Sequence, residues 1–129
     1  MTVAVFTIPV PPSLNNAFFN RPRKGRTKTT EYKNWLEAAA WEIRSQRVPV
    51  IAGEVKVSLL IRRPNKSSDL DNRLKGCLDA MQKAGVIEND NRVVELFARW
   101  TNEGKGCQVT VYSASEEASR IPIKNARAA

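Results

Sequence analysis

The sequence contains no histidine. That removes the side chain that most often moves protons near neutral pH, so any catalysis must rest on carboxylates, lysines or a metal. Cysteine is scarce as well. The two present, Cys77 and Cys107, have neither a C-x-x-C spacing nor histidines nearby, which argues against structural zinc and for reduced, packed thiols. No apolar run approaches the roughly 18 residues of a membrane span, and no basic-then-apolar leader opens the chain. A cytoplasmic protein is therefore expected, neither membrane-spanning nor secreted. Acid is the scarcer charge: 13 Asp and Glu against 21 Lys and Arg leave a net +8. Such an excess favours a polyanionic partner, whether DNA, RNA or an anionic surface, through release of counterions from phosphates. At 129 residues the chain is long enough for one core and short for two domains.

Residues 2–10, TVAVFTIPV, are β-branched and aromatic and predict a first strand that Pro9 ends. PPSLNNAFFNRPRKGRTKTT follows, rich in Pro, Asn and Gly. From Arg21 to Lys33 it carries Arg21, Arg23, Lys24, Arg26, Lys28 and Lys33 against the single acid Glu31. A mobile basic loop, about residues 18–30, is the expectation. Thr30 is a suitable cap for a helix to about Arg47, with Tyr32, Trp35, Leu36, Ala39 and Ile43 at helical spacing and Pro49 as its stop. Val55, Val57, Leu59 and Ile61 alternate with Lys56, Ser58, Leu60 and Arg62, the pattern of a half-buried strand. A second helix is predicted from about Asp69 to Ala84, burying Leu70, Leu74, Cys77, Leu78 and Met81, with Gly85 as its cap. RVVELFARW and CQVTVY read as two further strands in a hairpin-type connection through NEGKG. The order β-α-β-α-β-β predicts an α+β fold, a small mixed four-stranded sheet with two helices, over residues 1–112, followed by a polar mobile tail from 113 to 129.

Within this basic chain, SSDLDNRLKG places Asp69 and Asp71 at a helix start. Helix capping explains them adequately: Ser68 or Asp69 fits the N-cap, Ser68 to Asp71 fits a capping box, and Lys75 can pair with Asp71 one turn on. A second use is chemical. Residues two apart on a helix diverge by about 200°, so the two carboxylates converge only if Asp69 lies just outside the helix and Asp71 in its first turn. Asp90 lies at the exit of the same helix, before a strand that can pair beside the one ending near Arg62 and so reach the same end of the sheet. Two or three carboxylates beside a basic surface suit Mg2+, which takes oxygen ligands together with substrate phosphate and water. Held by Asp69, Asp71 and Asp90, the ion would activate water for attack at phosphorus, and Lys75 would set a positive charge against the transition state. Asn72 can steady a ligand carboxylate, or be a plain first-turn residue. Asp79 reads as a solvated helix acid, and Glu88 as a turn acid near enough to Asp90 to support it.

D-L-D-N with Lys75, a leucine-bearing helix, then A-G-V-I-x-x-D and a strand resemble the RusA family of Holliday-junction resolvases. IPVPPSLNNAF near the N-terminus is similar to the family's opening segment, and the likeness extends over roughly residues 4–112. The resemblance implies a small Mg2+-dependent endodeoxyribonuclease, with Mn2+ as a substitute, acting as a homodimer on branched DNA. It implies Asp69, Asp71 and Asp90 as metal-binding catalytic residues, Lys75 as the catalytic lysine, and Asn72 as the motif asparagine. Asn89-Asp90 stands where family members often carry two aspartates. The basic loop would correspond to the family's DNA-contacting loop, in which Phe18 and Phe19 could wedge between bases. Tyr32, Trp35 and Trp41 are better suited to core or dimer interface.

The expected function is structure-selective cleavage of four-way junctions in recombination and repair, two cuts by a two-fold dimer. The family also implies a bacterial or prophage origin and association with the nucleoid. A non-catalytic basic DNA-binding protein and an RNA-directed nuclease or binder are the alternatives. A sugar-nucleotide transferase using a D-x-D metal site is remote, since no nucleotide-binding domain is evident.

Overall fold

The computed structural model describes residues 3–23 and 25–115. In chain order they form β1 (Val3–Ile8), α1 (Leu14–Ala17), β2 (Phe18–Arg21), β3 (Gly25–Lys28), α2 (Thr30–Ser45), β4 (Val55–Arg62), α3 (Asp71–Ala84), a 3-10 turn (Asp90–Arg92), β5 (Val93–Thr101) and β6 (Cys107–Ser113). The α+β class is as expected. Lys24 and almost all of the tail expected from residue 113 onward lie outside the described residues. Among the described residues no helix is long and apolar enough to cross a membrane.

β4 is central because it is the most apolar strand. Val55, Val57, Leu59 and Ile61 face the helices, and even Ser58 on the other face is buried. The main sheet has the order β1-β6-β4-β5, with β4 antiparallel to β6 and parallel to β5. This corrects the expected β5–β6 hairpin: the two strands flank β4 instead of pairing with each other. β6, with Cys107, Val109 and Val111 buried, supplies apolar pairing to both β1 and β4, whereas β5 has exposed Val94 and Leu96 and takes an edge. The parallel register, Val55 beside Val93 and Arg62 beside Thr101, also corrects the expected position of Asp90. Asp90 precedes the end of β5 that lies beside the start of β4, away from Arg62.

The helices pack on the β4 core face. In α2, Thr29 rather than Thr30 is the N-cap: its hydroxyl accepts from Tyr32 N–H at 3.1 Å and donates to the Asn16 carbonyl at 2.9 Å. The contact with α1 selects between two equally suitable threonines. α3 ends as predicted at Gly85, whose φ of 83° is left-handed; Gly85 N–H reaches Gln82 O and Val86 N–H reaches Met81 O, closing the last turn. Arg44 from α2 donates to Lys83 O at 3.1 Å, which ties the two helix ends together. At the other end, Gly76 lets Pro11 lie directly on α3: a Cβ there would stand 2.5 Å from Pro11 Cβ. Cys77 and Cys107 are free and buried, and the Cys107 hydrogen bond followed by burial raises the Cys77 thiol well above its ordinary range.

Residues 18–28, expected as a mobile loop, are mainly a two-stranded hairpin. Phe18 pairs with Lys28 and Arg21 with Gly25. Short, charged strands carry little strand signal of their own; here Phe18 anchors them, packed against Tyr32 at 5.3 Å between centroids with the Arg26 guanidinium 4.5 Å over its ring. Phe18 is thus not free to wedge between bases. Phe19, 47% exposed, is free to, and Trp41, 67% exposed, is surface rather than core.

Candidate functional site

Asp69, Asp71, Asp79 and Asp90 are all placed by α3 or against it. Asp69 lies just before it and Asp71 is its first residue, the placement that convergence of the pair requires. Neither the Ser68/Asp69 cap nor the capping box forms. Leu70 is the cap position, already helical at φ −62° and ψ −46°, and makes no side-chain cap bond. The loop is folded instead by Asn65, whose Oδ1 accepts from Ser67 N at 3.0 Å, Ser67 Oγ at 2.7 Å and Ser68 Oγ at 3.2 Å. With both serines engaged there, the carboxylates of Asp69 and Asp71 remain exposed at the helix head. Asn72 Nδ2 stands 3.5 Å from Asp69 Oδ2, the outer edge of a hydrogen bond.

One turn further, Lys75 does not pair with Asp71. Its Nζ lies 3.0 Å from Asp79 Oδ1 and 3.8 Å from Asp90 Oδ2. Asp90 reaches it because the 3-10 turn lies along the flank of α3: Asn89 Oδ1 caps the turn by accepting from Asn91 N at 3.0 Å, and Asp90 N–H donates to Gln82 Oε1 at 2.9 Å. An asparagine at position 89 therefore has a capping task that leaves Asp90 in place. Glu88 turns the other way, its Oε1 accepting from Gly53 N–H at 2.7 Å, so it pins the loop before β4 rather than supporting Asp90.

Asp79 is not the solvated acid that its position suggested. Its side chain is 15% exposed, and Oδ2 accepts from the buried Tyr32 hydroxyl at 2.5 Å. Tyr32 is held between Phe18 and the stacked ring of Trp35, with centroids 6.1 Å apart. Burial first, then the bond to Asp79, pushes the phenol far above its ordinary range, so it stays protonated and donating. A groove of about 200 Å³ opens beside this pair, lined by Lys28, Leu36, Asp79, Gln82 and Lys83. The cations Arg21, Arg23, Arg26, Lys28 and Lys33 are all exposed on the hairpin and at the start of α2. Asp79 and Tyr32 escaped sequence reasoning although Lys75 and Asp79 have the same i,i+4 spacing as Asp71 and Lys75. Spacing allows both pairs, and the Tyr32 contact across α2 and α3 decides between them.

Among the described residues no three acidic or cysteine side chains gather closely enough to cage an ion by themselves. The donor set is all carboxylate oxygen, the type Mg2+ takes, and that ion commonly keeps one or two carboxylates while substrate phosphate and water complete its shell. Asp69, Asp71 and Asp90 thus offer oxygen donors of the type such an ion takes, with the Lys75 ammonium facing Asp90.

The family model described as Endodeoxyribonuclease RusA matches residues 9–112. A crossover junction endodeoxyribonuclease RusA from Aquifex aeolicus (strain VF5) is 40% identical over 92 residues, covering 69% of this chain and 71% of the relative. The protein of that name from Escherichia coli (strain K12) is 33% identical over 98 residues, covering 74% of this chain and 80% of the relative. The likeness read from D-L-D-N, A-G-V-I-x-x-D and the N-terminal segment is borne out along most of the chain. The chain belongs to the RusA family of endodeoxyribonucleases.

Proposed function

We propose that this protein is a Mg2+-dependent, structure-selective endodeoxyribonuclease that resolves four-way DNA junctions during recombination and repair, working as a homodimer. One observation carries the reading: Asp71, with Asp69 just before it, opens the helix that carries Lys75, whose ammonium faces Asp90, in a member of a nuclease family. Asp69, Asp71 and Asp90 would hold Mg2+, which when bound activates water and offsets charge on the phosphate. Mn2+ fits the same oxygen donors.

The chain's own groups do the rest. The hairpin cations take phosphates on either side of the branch, which positions the strand without reading its sequence. Lys75 presents a positive charge to the non-bridging oxygens of the scissile phosphate, where negative charge grows as the nucleophile attacks. Asn72 steadies the Asp69 carboxylate. A four-way junction has two-fold symmetry, so one site per subunit of a two-fold dimer suits paired incision.

The test is incubation with labelled four-way junction, duplex, single-stranded DNA and an RNA junction, each with Mg2+ and with EDTA. Metal-dependent cutting confined to the DNA junction is expected. Binding without cutting of any substrate would make the protein a non-catalytic DNA binder, and cutting only the RNA junction would move the activity to RNA.

A further inference from the structure

The lysine on α3 has two carboxylates at helical spacing, Asp71 one turn before it and Asp79 one turn after. Long side chains on a helix lean toward its N-terminus, so Lys75 left to itself would sweep toward Asp71. It is instead drawn the other way, to Asp79 Oδ1 at 3.0 Å, and there also faces Asp90. Asp79 is fitted to hold it. One carboxylate oxygen is bound by the Tyr32 hydroxyl and the other is left for the ammonium, a charge-assisted bond on each side. Tyr32 is 1% exposed and fixed between the rings of Phe18 and Trp35, so the carboxylate is anchored from the core rather than from solvent.

We infer that Asp79 is a positioning residue: anchored by Tyr32, it holds the Lys75 ammonium beside Asp90 and keeps it from neutralising Asp71. The consequence for cleavage rests on the nuclease reading above; the placement of the lysine does not. Without Asp79 the ammonium would fall back on Asp71, subtracting a charge from the pair at the helix head and withdrawing one from the phosphate. Tyr32 acts one step further away, since its hydroxyl touches only Asp79 in this chain of contacts. Asp79 never meets the substrate in this scheme, so its loss alters rate and leaves binding alone.

Two readouts test this. In junction cleavage, Asp79→Asn should lower kcat by about 10–100-fold, the range for lost supporting partners, with KM within about twofold. Tyr32→Phe should lower kcat less, with the same split. In a Lys75→Met background, Asp79→Asn should cost nothing further. An additive loss, or one that falls on KM, overturns the inference. The second readout needs no activity. With lysines 13C-dimethylated, which keeps the charge and one N–H, Lys75 assigned by Lys75→Arg should give two resolved methyl signals that merge in Asp79→Asn. Tyr32→Phe should narrow their separation, and unchanged Lys75 signals in Asp79→Asn overturn the placement. Wild-type protein that is inert on junctions while these signals still merge would remove the nuclease reading and uphold the lysine placement. Thermal melting of Asp79→Asn and Tyr32→Phe identifies general unfolding, which would collapse the signals of every lysine to a common position and not those of Lys75 alone.

Discussion

The head and the flank of α3 carry the same kinds of side chain and treat them oppositely. At the head, Asp69 and Asp71 are exposed, and the cap bonds that would have occupied them are replaced by the Asn65 turn. On the flank, the Asp79 carboxylate is tied to the Tyr32 hydroxyl, whereas Asp90 is held through its backbone N–H to Gln82 and its carboxylate faces Lys75. A carboxylate with oxygens to spare can take a cation, whereas Asp79, with one oxygen on the Tyr32 hydroxyl and the other on the Lys75 ammonium, is a fixed point for the lysine. Lys75 stands between the two regimes and is claimed by the flank.

The largest expected effect breaks this comparison at the head. Asp71→Asn should reduce junction cleavage at least about a hundredfold, the upper range for groups that secure a metal, while junction binding measured with Ca2+ in place of Mg2+ is retained or tighter. The negative charge facing phosphate is gone and the hairpin is untouched. Loss of binding together with cutting would show that Asp71 supports the fold, as a cap would. Salt probes the hairpin alone. If Arg21, Arg23, Arg26 and Lys28 each meet a phosphate, raising salt from about 50 to about 200 mM should weaken binding about a hundredfold, and each Arg→Ala should reduce the slope by about one. A flat salt dependence would detach the hairpin from DNA binding.

Smaller effects separate packing from chemistry. Gly76→Ala should destabilise the fold by about 1–3 kcal/mol in urea unfolding, because the new Cβ would stand 2.5 Å from Pro11 Cβ and backbone must shift. That variant sharpens the comparison, since it displaces the opening segment from α3 between head and flank. Smallest is Glu88→Gln. Its side-chain oxygen can still accept from Gly53 N–H, so stability should fall by no more than about 1 kcal/mol and cleavage should change less than twofold. A large loss of cleavage would return Glu88 to the metal site.

Much of the fold is legible from short-range pattern. The alternation in β4, the helical spacing of α2 and α3 and the glycine that ends α3 all operate between residues no more than about a turn apart, where local sterics and caps suffice. Even the D-x-D at a helix start could be placed correctly, because Pro64 and the leucine stripe bound the helix on either side. The hairpin was harder to read: Arg21, Arg26 and Lys28 look like loop, and the pairing depends on Phe18 finding Tyr32, a residue on the next helix.

What tertiary structure alone decides is choice among equivalent partners. Thr29 and Thr30 are both competent caps, and the carbonyl of Asn16 selects Thr29. Asp71 and Asp79 are both one turn from Lys75, and the Tyr32 hydroxyl selects Asp79. β6 rather than β5 lies between β1 and β4, which sends β5 parallel to β4 and brings Asp90 along the flank of α3. A helix or a strand announces itself by its own periodicity. A partner drawn from another element does not, since the contact is made only when segments far apart in sequence have already packed.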